Sequence, residues 1–569
     1  MRLILIFSLL LTIVSNAVGL DQIIGEFEMD SRDVAISPAV SWSAARLERE
    51  DRFLNDWEKH LESIDYEPLD NVARIDWHLL RNLLRERRND LFLQRSQLQE
   101  IHPLLAFSEP LLELARGLGD RQLADSAESA SALTQASVGL KELRKQLDAG
   151  RAKDAPADSL RPTPGLALRA VAAIDELRDK IDGWYKFYDG FQPDFRWWNE
   201  QPYRKLLSDL DALTSFLKKD IAAQKGEPDD PLVGDPIGAA SLRSSLDAQM
   251  IPYSTEELIA IAEKEFAWCE AEMKKAATDL GCQTTAEALE KVKSHHIPAG
   301  GQAAQTLEIA SKAIRFLKER DLVTIPPLAE ESWGISMLSP QAQKSLPYAV
   351  YGQPRIMVAY AHEAMDHVDK LEAMRGNAYA FLHIVTPHEL IPGHHLQAFM
   401  GRRHSGYRSP FRTPFLIEGW ALHWEMLLWD QGYTATPEEK VGALFWRMHR
   451  CARVIVSLKF HLGQMNTSEM IDFLVEKVGH ERSAATAEVR RYVGPAYGPL
   501  YQAAYMIGGL QLHALQKELT GPGSKEAITL RQFHDRILTQ GPIPIQMIRA
   551  ALKNESLPKS WKPDWRFAD

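Results

Sequence analysis

At 569 residues the chain has room for several small domains or for one large helical body with subdomains. Apolar residues make up 45% and charged residues 25%, and 33 glycines with 31 prolines fall far short of a low-complexity or collagen-like composition, so wholesale disorder and fibrous architecture are excluded. The formal net charge is −11 and no dense Lys/Arg run occurs, so nucleic acid is not an expected partner.

The chain opens with a short positive region at Arg2, an apolar run from Leu3 to Val14, and small residues at Ser15-Asn16-Ala17 or Ala17-Val18-Gly19. This order predicts a signal peptide over residues 1–19 and an exported protein, periplasmic or extracellular. The apolar run is short for a membrane span and no other is long enough, so no stable membrane association is expected after cleavage. No cysteine lies near the cleavage site, which argues against a lipid anchor. Cys269, Cys282 and Cys451 are an odd set that allows at most one disulfide; they read as small buried residues.

Helical periodicity dominates from about Ser43 onward. Trp42 to Ile64, Val72 to Arg88 and Leu166 to Phe187 repeat apolar residues at three- and four-residue spacing. Ser254 and Glu257 form a capping-box pattern that opens an amphipathic run through Ala276, halted near Gly281. Two loops interrupt the first half, Gly150 to Gly165 and the Pro/Gly/Asp-dense Gly226 to Gly238. The second loop reads either as a boundary between an N-terminal helical region, 20–235, and a C-terminal helical region, 236–569, that carries the chemistry, or as a long surface loop inside one helical domain. Strand candidates are few: Ser332 to Leu338, Tyr348 to Tyr351 and Phe381 to Thr386. The fold class expected is mainly α, a large multi-helix body with at most a small β-sheet.

The chemistry concentrates between Thr386 and Gln397. His388 and Glu389, followed by Pro392, Gly393, His394 and His395, are similar to the HExxH zinc motif, in which imidazoles at i and i+4 bind the metal and the Glu is the base. The spacing differs: i+4 is Pro392, which ligates nothing. On a straight helix i and i+6 are about 120° apart, so His388 and His394 would not share an ion, and His395 at i+7 lies about 10 Å along the axis. Pro392 removes a helical hydrogen bond and Gly393 admits unusual backbone, so a bulge or break there would bring His394 to the place i+4 normally holds.

A third ligand is expected downstream at Glu418, which opens the helical run Glu418 to Glu425. Two imidazoles, a carboxylate and an open position make a catalytic zinc site, with Glu389 placed to take a proton from water. Glu425, at i+7 from Glu418, reads either as a carboxylate supporting the site or as a solvated helix face. His362-Glu363 with His367 reads as a decoy on an exposed helix face, and His295, His296 and His423 as surface or packing histidines. Arg490, Arg491 and Tyr492 read as a substrate-carboxylate clamp or as a solvated helix surface.

At His388, Glu389, Pro392, Gly393, His394 and Gln397, and again at Glu418 to Ala421, the sequence resembles the bacterial family catalogued as domain of unknown function 885. Weaker likeness extends to Pro236–Gly238, Tyr253–Glu257, Tyr505 and Gly508. The family looks like a mostly helical relative of gluzincin metallopeptidases. That resemblance implies a zincin-like core and a zinc-dependent peptidase acting on short or unfolded peptides. It implies one Zn2+ per chain held by His388, His394 and Glu418, with Glu389 as base. By position Tyr505 is nominated as the oxyanion donor, in competition with Tyr492, Tyr497 and Tyr501, and with His513 as a weaker candidate. A metal-dependent hydrolase of another amide or ester, and a non-catalytic extracytoplasmic binding protein with a structural metal, are the alternatives.

Overall fold

The computed structural model describes residues 19–568 apart from 37–38, 120–122, 191, 227–229 and 524–526, so the predicted signal peptide up to residue 18 lies outside the described residues. The first half is helical: α1 (Leu20–Ala35), α2 (Ala44–Ser63), α3 (Asn71–Ile101), α4 (Glu109–Gly119), α5 (Ser126–Gly150), α6 (Pro164–Asp189) and α7 (Phe195–Phe216). After the loop come α8 (Gly238–Ala248), α9 (Thr255–Asp279), α10 (Thr285–Ser294), α11 (Gln302–Glu319) and the short α12 (Pro327–Glu331). A small sheet follows, with β1 (Gly334–Met337), the single-turn α13 (Pro340–Gln343), β2 (Ala349–Gly352) and β3 (Arg355–Val358). The rest is again helical: α14 (His367–Gly376), α15 (Tyr379–Glu389), α16 (His394–Gly401), α17 (Pro414–Asp430), α18 (Pro437–His461), α19 (Thr467–Phe473), α20 (Arg482–Val493), α21 (Tyr501–Thr520), α22 (Leu530–Leu538) and α23 (Ile545–Lys553). Among the described residues the protein is mainly α with one three-stranded sheet.

Local signals explain many of the boundaries. The Ser254 hydroxyl accepts from the Glu257 N–H while Glu257 accepts from the Ser254 N–H, a complete capping box at the start of α9, and Gly281 (φ +74°) follows its end. Thr163 caps α6, and Pro164 takes its first position. One expected strand is corrected. Phe381 to Thr386 lies inside α15, where Phe381, Ile384, Val385 and Thr386 are all buried and the helix packs on α11, α17 and α18. β-branched and aromatic residues there fill a core on every side, so packing overrides strand propensity.

The sheet has the order β1-β3-β2, with β1 parallel and β2 antiparallel to β3. β2 is therefore an edge strand, and its residues form part of the wall of a large cavity. Among the described residues there are two large apolar cores, with a small third cluster of Ala310, Ile356, Val358 and Leu390 against the sheet. The end of α3 and helices α4–α7 pack around Leu140, Ile174, Leu206 and Leu210. Helices α1 to α3 share the other core with the chain from α8 onward. That union is reinforced by polar contacts of α3: Asp76 accepts from Arg408 Nε at 2.7 Å and from the Tyr407 hydroxyl at 2.8 Å. Cys269 and Cys451 are buried and all three cysteines are free. Among the described residues no helix is long and apolar enough to cross a membrane.

Helices α17 and α21 approach at glycines. A Cβ added to Gly419 would lie 2.6 Å from the Cα of Gly508, so only hydrogen at both positions allows this contact. The close fit fixes α17, which carries Glu418 and Glu425, against α21, which carries Tyr501 and Tyr505.

Candidate metal centre

The helix breaks where the sequence expects it to. α15 ends at Glu389, four residues without regular structure follow, and α16 starts at His394, with a cis Ile391–Pro392 bond in the link. The link folds back tightly: the Gly393 N–H donates to the Pro387 carbonyl at 3.0 Å and the His395 N–H to Leu390 at 3.0 Å. A Cβ on Gly393 would fall 1.7 Å from the His388 carbonyl oxygen, so no other residue fits. The Trp420 indole N–H donates to the Pro392 carbonyl at 2.9 Å, and the Gln397 amide donates to the Leu416 carbonyl at 3.1 Å. These two bonds lock the broken helix onto α17.

The break brings together three of the predicted residues. One ligand atom each from His388, His394 and Glu418 lies within 4.8 Å of the others. Glu418 Oε2 is 3.2 Å from His394 Nε2 and 4.0 Å from His388 Nε2. That oxygen is buried and meets no donor in hydrogen-bonding geometry. Its partner oxygen Oε1 accepts from the Tyr501 hydroxyl. Burial opposes ionisation of Glu418, but the charges of His394 and His388 and the hydrogen bond from the Tyr501 hydroxyl hold it well below the usual carboxylate range. For His394, burial is outweighed by Glu418 and Glu389, which raise it. Two inward imidazole nitrogens and an orphaned buried carboxylate oxygen are the donor set a zinc ion takes, so the residues present fit that ion.

Glu389 stands beside this set. Its Oε1 is 4.0 Å from His388 Nε2 and its Oε2 is 4.0 Å from His394 Nε2, while the Tyr351 N–H of β2 donates to Oε2 at 2.8 Å. Glu425 is not a solvated helix face. It is buried, and its Oε1 lies 2.5 Å from His388 Nδ1 and 3.4 Å from Arg450. Being i and i+7 on one helix, Glu418 and Glu425 bracket the two nitrogens of a single imidazole. Burial would raise Glu425, but Arg450 and the hydrogen bond to His388 win and hold it below its ordinary value.

His395 turns away from the cluster. Its Nε2 meets the Ala329 carbonyl at 2.8 Å and its Nδ1 the Tyr351 hydroxyl at 3.2 Å. His362 and Glu363 sit in a turn and His367 starts α14, so that decoy forms no helix face. His423 packs against His534 in the core at 3.1 Å. His513 neighbours Asp430, 3.8 Å away, and is not in the cavity wall. Of the tyrosines, Tyr497, Tyr501 and Tyr505 line the cavity, whereas Tyr492 is tied to Arg453 at 3.1 Å behind it. The Tyr505 ring lies 6.3 Å from the His388 ring, centroid to centroid, and its hydroxyl accepts from Arg491 at 3.1 Å, which leaves its own proton to give. Burial, and then the Glu418 charge, push the Tyr505 phenol up, so it stays protonated at neutral pH.

The cluster opens onto a cavity of about 910 Å³ whose walls come from β2, α15 to α18, α20 and α21. Residues not singled out from the sequence line it too: Tyr351, Arg450, Arg453 and Glu488. Arg450 and Arg453 stand at i and i+3 on α18, where every residue from Val441 to Leu458 except Arg447 is buried, so both charges lie inside the protein. The Arg490-Arg491 pair is split: Arg490 reaches outward to the Lys344 carbonyl, and Arg491 faces the cavity.

The family described as "Bacterial protein of unknown function (DUF885)" matches residues 38–552. The chain belongs to that family. In this DUF885 protein the matched span contains every residue of the cluster and of the cavity wall. No curated protein matches the chain. Solved structures that share its fold include "a putative lipoprotein of unknown function from Shewanella oneidensis", with a TM-score of 0.67 and 17% identity over 94% of this chain and 100% of that one. Another is "the putative lipoprotein from Colwellia psychrerythraea", with a TM-score of 0.56 and 14% identity over 94% and 99% of the two chains. At these identities the likeness is one of fold.

Proposed function

We propose that this DUF885 protein is an exported zinc-dependent peptidase that hydrolyses short or unfolded peptides. The observation that carries the reading is the convergence of His388, His394 and Glu418 on one point at the floor of a large cavity, with Glu389 beside that point and outside the donor set. A structural zinc site closes with a fourth protein ligand; here the fourth side belongs to the cavity. The core in which a broken helix, an edge strand and a carboxylate-bearing helix meet is zincin-like in this reading, and zinc is held one per chain. Export is supported by the amino-terminal apolar segment and by fold neighbours described as lipoproteins.

When bound, zinc supplies Lewis-acid polarisation and makes water acidic enough to ionise near neutral pH. The chain's own groups do the rest. Glu389 takes a proton from the attacking water and returns it to the amine as the C–N bond breaks, which balances the hydrolysis. The Tyr351 N–H orients Glu389 for that transfer. Tyr505, whose proton is not spent on Arg491, donates to the carbonyl oxygen as negative charge develops there. A peptide is favoured over other amides and esters because β2 is an edge strand in the cavity wall, where an extended chain can add as a further strand.

The test is purification of the mature protein with and without Glu389→Gln, elemental analysis of both, and a peptide library resolved by mass spectrometry. Near-stoichiometric zinc in both with cleavage only by the wild type is the expected result. Cleavage undiminished in Glu389→Gln, or no zinc retained after reconstitution, would overturn the reading.

A further inference from the structure

The polar wall behind the metal centre contains more guanidinium than it neutralises. Arg450, Arg453 and Arg491 surround Tyr505: Arg450 lies 4.9 Å and Arg453 4.5 Å from its ring centre, and Arg491 donates to its hydroxyl. Two carboxylates answer these three cations. Glu425 serves Arg450 at 3.4 Å but is already engaged with His388 at 2.5 Å. Glu488 pairs with Arg453 at 2.7 Å, and its other oxygen reaches Arg491 only at 4.0 Å. Arg491 is thus the cation left over. Its Nε is buried and unpartnered, as are Arg450 Nε and Arg453 Nη1.

A buried guanidinium without a full counter-charge is costly, and its planar fork matches a carboxylate. All three arginines line the same cavity as Glu389 and Glu418, so the missing anion can arrive with the substrate. The metal end offers no second demand for an anion, since Glu418 and Glu389 together balance a divalent cation. Arg491 is one side chain removed from the cluster by either of two routes. Tyr505 links it to His388, and Tyr501, whose ring centre is 6.0 Å from the guanidinium carbon, hydrogen-bonds Glu418. That reach is short enough for one or two residues of extended chain at roughly 3.4 Å each.

We infer that Arg491, backed by Arg450 and Arg453, is the receptor for a substrate carboxylate, and that the proposed peptidase is an exopeptidase acting from the C-terminus. The inference rests on the peptidase reading for the cleavage step, but the carboxylate receptor stands on its own geometry. A free C-terminus and an acidic side chain of the terminal residue offer the same chemistry, and the test separates them.

Three peptides of otherwise identical sequence serve as probes: N-acetyl-tetraalanine as the free acid, the same peptide as its C-terminal amide, and an amide carrying glutamate at the last position. Products from the zinc-loaded wild type are identified by mass spectrometry. Binding is measured by calorimetry on Glu389→Gln, and on Arg491→Lys with zinc content checked. The expected result is release of one or two residues from the free acid alone, with the plain amide bound on the order of 50-fold more weakly, the range lost with a charge-assisted pair. Arg491→Lys then narrows that gap while zinc content holds. Recovery of binding by the glutamate amide assigns the anion to a side chain and overturns the exopeptidase direction. Internal cleavage and equal binding of acid and amide overturn the receptor and leave the peptidase. Selective binding of the acid without any cleavage keeps the receptor and removes the peptidase, and neither cleavage nor selectivity removes both.

Discussion

The Trp420 indole N–H donates to the carbonyl of Pro392 at 2.9 Å, joining the two most particular segments of the chain. Trp420 is wholly buried, so losing this bond leaves the Pro392 carbonyl without its donor in an apolar setting. Trp420→Phe removes the donor together with part of the buried ring. It is expected to lower stability by about 1–3 kcal/mol, the usual penalty for an unsatisfied buried polar group, and to weaken zinc retention because the link that sets His394 loosens. Thermal unfolding and zinc titration on the same samples check it. An unchanged midpoint would mean that packing alone holds the break.

Glu425 determines how His388 presents itself. With Glu425 Oε1 at 2.5 Å, the Nδ1 carries the proton and donates, which leaves the Nε2 lone pair facing His394 and Glu418. Glu425→Gln keeps the shape but weakens the acceptor. The expected loss in zinc affinity is about 10- to 100-fold, measured by competition with a chromophoric chelator. Glu425→Ala, which also strips Arg450 of its partner, is expected to lose more.

Helices were legible wherever one face repeats, as in α2, α6 and α9, because 3.6-residue periodicity and caps are local properties. β3, four residues long, left no pattern to read, and α15 was obscured because burial on all sides erases amphipathicity. The cluster of His388, His394 and Glu418 was legible because two of its members lie in one unusual string and the third starts another. Tyr351, Arg450, Arg453 and Glu488 were not. Each becomes part of the cavity only through the packing of β2, α18 and α20 around α15, a long-range arrangement that spacing does not encode.

Glu86 on α3 gives a pH dependence separate from the His388, His394 and Glu418 cluster. Burial, reinforced by Asp90, pushes its carboxyl up to about 7, against the opposing pull of Arg85 and the Gln249 amide. The folded state therefore binds this proton more tightly than the unfolded chain. The stabilisation is complete below the ordinary glutamate value near 4.5 and is lost as pH rises through about 7. Glu86→Gln is permanently neutral, so it should match the wild type near pH 4 and exceed it at pH 8 by about 1 kcal/mol, after allowance for partial exposure. Denaturant unfolding at the two pH values measures this. Parallel stability of the two proteins across the range would place Glu86 in a solvated setting.

His394 and His395 are adjacent, yet their side chains serve opposite sides of the break. His394 reaches Glu418 at 3.2 Å, while His395 spans the Ala329 carbonyl and the Tyr351 hydroxyl. His394→Ala is therefore expected to abolish stoichiometric zinc with little loss of fold, as are His388→Ala and Glu418→Ala. His395→Ala is expected to keep its zinc and instead lose stability, because a buried carbonyl and a tyrosine hydroxyl lose their shared partner. Elemental analysis with circular dichroism separates the two outcomes. Zinc retained in His394→Ala and lost in His395→Ala would shift the ligand by one residue and require the link at Pro392 and Gly393 to fold differently.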